Sequence, residues 1–188
     1  SLREPFVVIS GAEKERIKYQ MDGLPCIIFA QSGNHTDYWY NKLNTKEKKA
    51  IWVHLRKVSK LTGVPLDNET VEDRGCQISL SFLGHSSSIL RKVKFDPKRE
   101  FRTSVVDKIP LKNKTIEVKV TGTTCLDYTP KQNTKGKNLA RYMKLMKLNK
   151  KDCTYFGDNL QKGGNDATVI GVMKCVEVKN PDDLYKKL

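Results

Sequence analysis

Apolar positions in this chain follow two different periods, and the change between them divides it. "FVVI" (6–9) is a β-branched run that stops at Ser10-Gly11, and "AEKERIKYQM" (12–21) then sets Ile17 and Met21 on one side of a helix. A second run, "CIIFA" (26–30), ends in the Gln31-Ser32-Gly33-Asn34 turn. Buried strand, tight polar turn and helix is the repeating unit of an α/β sheet. The style then shifts. "TKEKKAIWVHLRKVSKLTG" places Ile51, Leu55, Val58 and Leu61 near the 3.6 period, and Gly63 and Pro65 stop that helix. "GCQISLSFLG" alternates strictly, with Gln77, Ser79 and Ser81 on one face and Ile78, Leu80 and Phe82 on the other. "TIEVKV" repeats the period with Ile116, Val118 and Val120, and "DPKREFRTSVVDKI" between the two reads as a helix. This is an α+β module, a sheet with one polar face backed by two helices. The first style returns with "KGKNLARYMKLMKL", a helix with Leu139, Met143 and Met146 inward, then the strand "CTYFGD" ending at Asp158, then the strand "VMKCVEV".

The pattern predicts an α/β fold: a core in two parts, 1–42 and 121–188, interrupted by an inserted α+β cap at 43–120. Strands 6–9, 26–30 and 154–157 are expected in one sheet and the alternating strands in another.

Composition narrows the function classes. The chain has 188 residues, 38% hydrophobic and 30% charged, as soluble globular proteins do, and no apolar run approaches the roughly 20 residues that span a bilayer. No membrane partner is expected, and the expected compartment is cytoplasmic. Cys26, Cys76, Cys125, Cys153 and Cys175 lie far apart with no C-x-x-C pair, which reads as reduced thiols in or near the core. The net charge of +14 is dispersed: residues 46–120 hold 17 Lys/Arg against 9 Asp/Glu, and the remainder 18 against 12. No RNP-like motif, zinc finger or basic arm accompanies it, which argues against nucleic acid. A dispersed basic surface equally attracts small phosphorylated substrates.

The candidate chemistry centres on "FGDNLQKGGNDATV" (156–169), in which Asp158 and Asp166 flank a polar run directly after a strand. Acids at a strand end hold a cation or a proton. "VVISGA", the lysine ahead of a helix in "LDYTPKQNTKGKNL", and "YFGDNLQKGGND" together resemble motifs two, three and four of the haloacid dehalogenase-like superfamily, most closely its branch with a large α/β cap, which includes phosphomannomutases and sugar-phosphate phosphatases. The resemblance runs over nearly the whole chain. It implies a Rossmann-like core, Mg²⁺ as cofactor and a small phosphorylated metabolite as substrate. Ser10 matches the hydroxyl that bonds the transferring phosphoryl group, with Gly11 beside it, and Lys135 the lysine that offsets charge there. Asp158 matches the magnesium-binding acid, with Asp166, also a candidate metal residue, and Asn165 in the adjacent shell. In the cap, Arg74 stands where phosphomannomutases have an arginine, but the second arginine is replaced by His85, which argues against a mutase. Ser79, Ser81 and Asp127 complete the candidate substrate contacts, and Cys125 replaces a serine of the last cap strand.

One part of the family pattern is absent. The reaction uses an aspartate nucleophile in D-x-D at the end of the first strand, and no D-x-D occurs in the 188 residues. The chain opens at what the resemblance makes strand two, so a strand, loop and helix of about 30 to 40 residues are expected upstream. That strand would be central to the sheet. Two readings result: a Mg²⁺-dependent phosphatase core acting through an aspartyl-phosphate whose nucleophile lies outside this chain, or a non-catalytic relative whose basic surface binds nucleic acid or another acidic partner.

Overall fold

The computed structural model describes residues 6–161 and 164–188. In chain order the elements are β1 (Val7–Ile9), α1 (Lys14–Met21), β2 (Ile27–Phe29), α2 (Thr45–Thr62), β3 (Val71–Asp73), β4 (Ile78–Ser81), α3 (Ile89–Phe95), α4 (Glu100–Lys108), β5 (Ile116–Thr121), β6 (Cys125–Pro130), α5 (Lys135–Met146), β7 (Thr154–Gly157), β8 (Lys174–Glu177) and α6 (Pro181–Lys187). They form two units, one built from the chain up to Trp39 together with Gln132–Leu188, the other from Tyr40–Lys131. No helix among the described residues is long and apolar enough to cross a membrane.

In the first unit β1 and β2 are parallel, Val8 opposite Ile28, and α1 supplies the crossover that a parallel pair requires. Ile17 of α1 is buried with Ile28 and Ala30. On the other face Phe29 joins Leu139, Tyr142 and Met143 of α5, Tyr155 of β7, Val169 and Met173. Met146, expected inward, is 45% exposed, because the last turn of α5 runs past this cluster.

The expected single sheet is not what forms. β1–β2 and β7–β8 are two separate parallel pairs, so each has an edge with no ladder partner among the described residues. Val7 and Ile9 of β1 nevertheless pack into the same cluster as Tyr155 of β7. Side-chain burial holds together what backbone pairing does not. All three residues of β1 stay only half-buried in spite of their apolar sequence.

The second unit is an antiparallel sheet in the order β3-β4-β6-β5. One face packs Ile78, Leu80, Ile116, Leu126 and Tyr128 against Ile51, Leu55 and Val58 of α2 and Val105 of α4. Leu61 of α2 is instead 48% exposed. An Asn44/Glu47 capping box opens α2: Glu47 N–H donates to Asn44 Oδ1 at 2.9 Å and Asn44 N–H to Glu47 Oε2 at 2.9 Å. Gly63, at φ 75°, ends it. The boundary expected at 120 falls instead after Lys131, because β6 is an interior strand paired on both sides. β3 and α3 add to the expected elements: β3 has three residues, and α3 buries none, its Ile89, Leu90 and Val93 facing solvent.

Two buried polar groups tie this unit together. Arg102 of α4, fully buried, donates from Nε to Asp96 Oδ2 (2.8 Å) and from Nη1 to the carbonyl of Thr121 (2.6 Å). Burial pushes the Asp96 carboxyl up, but the bonds and charge of Arg102 outweigh it and hold the carboxyl below its usual range. His54 Nε2 lies 2.7 Å from the carbonyl of Ile109 and Nδ1 2.9 Å from the Tyr128 hydroxyl. A carbonyl only accepts, so Nε2 carries the proton and Nδ1 accepts from Tyr128. Burial lowers the His54 pKa from 6.5, against the Ile109 bond, and Lys57 lowers it further. Below that value the unfolded chain therefore binds more protons than the folded one, and stability should fall as pH drops through 6.5 toward the lower folded value. Melting temperatures taken from about pH 7 to pH 5 should decline, and His54→Gln should flatten that slope.

Candidate functional site

In the first unit the candidate residues lie in loops that follow strands. Ser10 follows β1, is half-buried, and its Oγ accepts from Ala12 N–H at 3.2 Å. Its carbonyl accepts from Ser32 N–H at 2.7 Å, so the turns after β1 and β2 are bonded to each other. Gln31, Ser32 and Gly33 all have left-handed φ (50°, 61° and 85°), a costly conformation for the two that are not glycine. At Gly33 a Cβ would lie 2.8 Å from Asn138 Cβ. That close approach lets Asn138 Nδ2 donate to the Ser32 carbonyl (3.0 Å) and Asn34 Nδ2 to the Asn133 carbonyl (3.1 Å). A continuous run of hydrogen bonds thus leads from Ser10 to the first turn of α5. Gly11 has open space for a side chain, so crowding is not what requires glycine there.

Lys135 is the first residue of α5 and is buried. Its Nζ donates to Asp166 Oδ1 at 2.6 Å, and Tyr155 OH donates to the same oxygen at 2.7 Å. Asn159 N–H reaches Asp166 Oδ2 at 3.3 Å. Asp166 therefore has both oxygens engaged by protein donors and anchors Lys135, instead of offering the bare metal ligand that the sequence suggested. Its burial favours the neutral acid, but Lys135, Tyr155 and Asn159 together hold its pKa below 3.8. The Tyr155 hydroxyl is driven the other way, by burial first and by Asp166 next. Asp158, at the end of β7, is exposed and bonds to nothing among the described residues. It is the free carboxylate of the group. Asn165 is exposed and lies outside the Lys135–Asp166 network, and Gly163 of the Gly-Gly pair lies outside the described residues.

Gly136 allows this packing. Its N–H donates to Thr168 Oγ1 at 3.2 Å, and a Cβ would collide with the Thr168 carbonyl oxygen. That obstacle is backbone and cannot swing away. Gly136→Ala is expected to destabilise the protein by about 1–3 kcal/mol in spite of its better helix propensity, as a drop in melting temperature.

The second unit gathers the other candidates on the polar face of its sheet. Glu72, Ser79, Asp127 and Lys119 stand directly opposite one another across β3, β4, β6 and β5. This face is not a solvent face, since Gln77, Ser79 and Ser81 are all buried. Arg74 is committed to Glu72, Nε to Oε2 at 2.7 Å, and His85 Nδ1 lies 3.4 Å from Glu72 Oε1. Ser81 Oγ is satisfied by Thr124 Oγ1 at 3.1 Å. Ser79 Oγ, His85 Nε2 and Asp127 Oδ1 are buried without a hydrogen-bond partner. Such atoms are rare in folded proteins and are expected to meet a ligand or water.

Sequence reasoning missed Tyr155, Asn34, Asn138 and Glu72. The first sits inside the strand "CTYFGD", where a buried tyrosine hydroxyl needs a partner, and Asp166 lies eleven residues on.

As to a metal, no group of three His, Cys, Asp or Glu residues gathers among the described residues. One free carboxylate at a strand end suits Mg²⁺, which takes one or two carboxylates and completes its shell with water and phosphate oxygens.

Comparison with known proteins adds the following. The sequence profile of the eukaryotic phosphomannomutases matches residues 34–188. No curated protein matches by sequence. Among solved structures, an N-terminally truncated IMP-nucleotidase of Plasmodium falciparum is similar at TM-score 0.63 and 16% identity, over 96% of this chain and 59% of that one. A haloacid dehalogenase-like hydrolase from Bacteroides thetaiotaomicron is similar at 0.60 and 12%, over 97% and 85%. A subclass IIB sugar phosphatase of the same superfamily is similar at 0.54 and 16%, over 95% and 76%. The chain thus spans about 59% of the nucleotidase's length. At these identities the likenesses show the fold.

Proposed function

Since the chain belongs to the eukaryotic phosphomannomutase family and has the haloacid dehalogenase-like fold, we propose that it is the phosphoryl-binding core of a Mg²⁺-dependent phosphatase of small phosphorylated metabolites, sugar phosphates or similar compounds. The observation that carries this reading is the buried Lys135–Asp166 pair at the start of α5, bonded through Asn159 to the loop that carries the free Asp158.

A phosphoryl group in transfer carries negative charge spread over its oxygens, so catalysis consists largely of converging positive charge and donors. Lys135, held by Asp166, supplies a fixed ammonium at the positive end of a helix dipole. The Ser10 hydroxyl can donate to a phosphoryl oxygen while still accepting from Ala12 N–H. Asp158 would hold Mg²⁺, which when bound neutralises phosphoryl charge. None of these residues is a nucleophile. An aspartyl-phosphate route needs a carboxylate beyond those assembled here.

Hydrolysis is favoured over a mutase. A mutase must grip a second phosphate, yet His85 replaces one expected arginine and Glu72 already engages Arg74. On the second unit, Ser79, His85 and Asp127 of the polar face are proposed contacts for polar groups of a small ligand. In the full-length frame, an upstream strand ending in D-x-D would support the enzyme, and the lack of one there would support the second reading, a binding relative without turnover.

The test is binding. Titrated with inorganic phosphate and followed by ³¹P line broadening, the chain should bind more tightly with Mg²⁺ than with EDTA. Asp158→Ala should remove that difference, about tenfold in affinity or 1.4 kcal/mol, and leave the melting temperature unchanged because its side chain is exposed and bonds to nothing among the described residues. Mg²⁺-independent phosphate binding that survives Asp158→Ala would refute the site.

A further inference from the structure

A groove of about 690 Å³ opens on the Tyr40–Lys131 unit, and none of its lining residues belongs to either candidate set. One wall is the outer stripe of α2 and the other is the segment 108–113 that joins α4 to β5. Lys46, Lys49, Lys57, Lys108 and Lys112 line it, and no acidic residue does. Among the described residues the side chains of these five make no ion pair or hydrogen bond, whereas that of their neighbour Lys48 reaches Asp73 at 2.6 Å. Lys46 and Lys49 stand three residues apart near the N-terminus of α2, where a cation opposes both the helix dipole and its like-charged neighbour. This arrangement works against folding stability, and an anion in the groove would relieve it.

The floor is apolar. Ala50 and Val53 fall on the same helical stripe as the lysines, opposite the buried Ile51, Leu55 and Val58, and Leu111 faces them from the other wall. Val53 is 45% exposed for want of anything covering it. Beneath the floor His54 has both ring nitrogens satisfied and a lowered pKa. The charge of the groove is therefore that of the lysines alone.

We propose that this groove binds a small molecule carrying two or more phosphates on a compact apolar body, as a nucleoside di- or triphosphate does. The volume lies within the roughly 300–1,000 Å³ of small-ligand sites. Five mobile point charges match several phosphate oxygens without demanding one geometry, and the aliphatic floor accepts the body of the ligand. A single nucleic-acid strand fits less well: such grooves present aromatic platforms, and the only aromatic ring in this lining, His54, is buried. A second copy in twofold pairing would set one lysine rim against another. The inference does not depend on the phosphatase reading.

The test titrates the full chain with ATP, with inorganic tripolyphosphate and with a single-stranded oligonucleotide, in EDTA, by calorimetry and amide NMR shifts. Expected are saturable one-to-one ATP binding that weakens with salt, several-fold weaker tripolyphosphate binding, and shifts concentrated in α2 and residues 108–113. Lys49→Glu with Lys57→Glu should weaken ATP about tenfold or more without lowering the melting temperature, since both side chains are exposed and each exchanges repulsion by neighbouring lysines for attraction. Asp158→Ala should leave ATP affinity unchanged, which separates this groove from the proposed phosphoryl site. Absence of saturable binding, equal affinity for tripolyphosphate, tighter binding of the oligonucleotide, or ATP affinity unmoved by the double charge reversal would each overturn the proposal.

Discussion

Hydrolysis of p-nitrophenyl phosphate with Mg²⁺ is expected to be undetectable for the 188-residue chain and to appear when a strand ending in D-x-D is joined ahead of it. The binding groups and the nucleophile make separable contributions. On the proposed reading Ser10, Lys135 and Asp158 position a phosphoryl group, but the covalent step needs a carboxylate that attacks phosphorus, and no D-x-D is present in the 188 residues. Removing an acting nucleophile costs a hydrolase on the order of a millionfold in turnover even when the binding groups remain. In the extended protein Asp158→Ala should cost roughly a hundredfold or more, as loss of a charge-stabilising group does. Robust Mg²⁺-dependent turnover by the short chain, persisting in Asp158→Ala, would show the chemistry to lie elsewhere.

Elements with a long apolar period were legible in the sequence. The stripe Ile51, Leu55 and Val58 and the alternation Ile78, Leu80 could be read because burial on one face repeats at a fixed interval, and all five residues are buried. Leu61 and Met146 fit the same periods and are exposed, because a period gives the angle around a helix and not where its neighbours end. α3 left no trace, since its isoleucine, leucine and valine face solvent. The alternating strands do form a sheet of their own, as expected, but the pairing of the core strands could not be read: strands of three or four residues carry almost no register information, and which of them pair depends on edges that no local pattern encodes.

The site divides along the same line. Motif order singles out Ser10, Lys135, Asp158 and Asp166, but the difference between the two acids, one bonded to Lys135 and the other exposed, was not legible there. It depends on Tyr155, on the Asn159 amide and on Gly136 and Gly157 keeping the approach open: at Gly157 a Cβ would stand 2.8 Å from Asp166 Oδ2. The polar face of the second unit gives a similar lesson. Alternation marks Ser79 and Ser81 as facing away from the apolar core and suggests water, yet both are buried, and only the three-dimensional pairing shows Ser81 satisfied and Ser79 not.

The two acids should separate cleanly under mutation. Asp166→Ala is expected to destabilise the protein by about 3–5 kcal/mol, the usual cost of removing one partner from a buried ion pair, because it leaves the Lys135 ammonium and the Tyr155 hydroxyl buried without their acceptor. Lys135→Met combined with Asp166→Leu should recover much of that loss, since it removes the stranded charge and fills the volume with apolar groups. Recovery of stability without recovery of phosphate binding would identify the pair as a positioning device for the ammonium. Acid titration should agree in sign: the folded-state pKa of Asp166 lies below its unfolded value of 3.8, so its contribution is complete above that pH and is lost as pH falls through the folded value. Asp158→Ala should leave denaturant midpoints where they are and remove only the Mg²⁺-dependent component of phosphate binding. If Asp158→Ala and Asp166→Ala instead cost equal stability, the assignment of Asp166 as the anchor of Lys135 and of Asp158 as the free metal-holding carboxylate would fail.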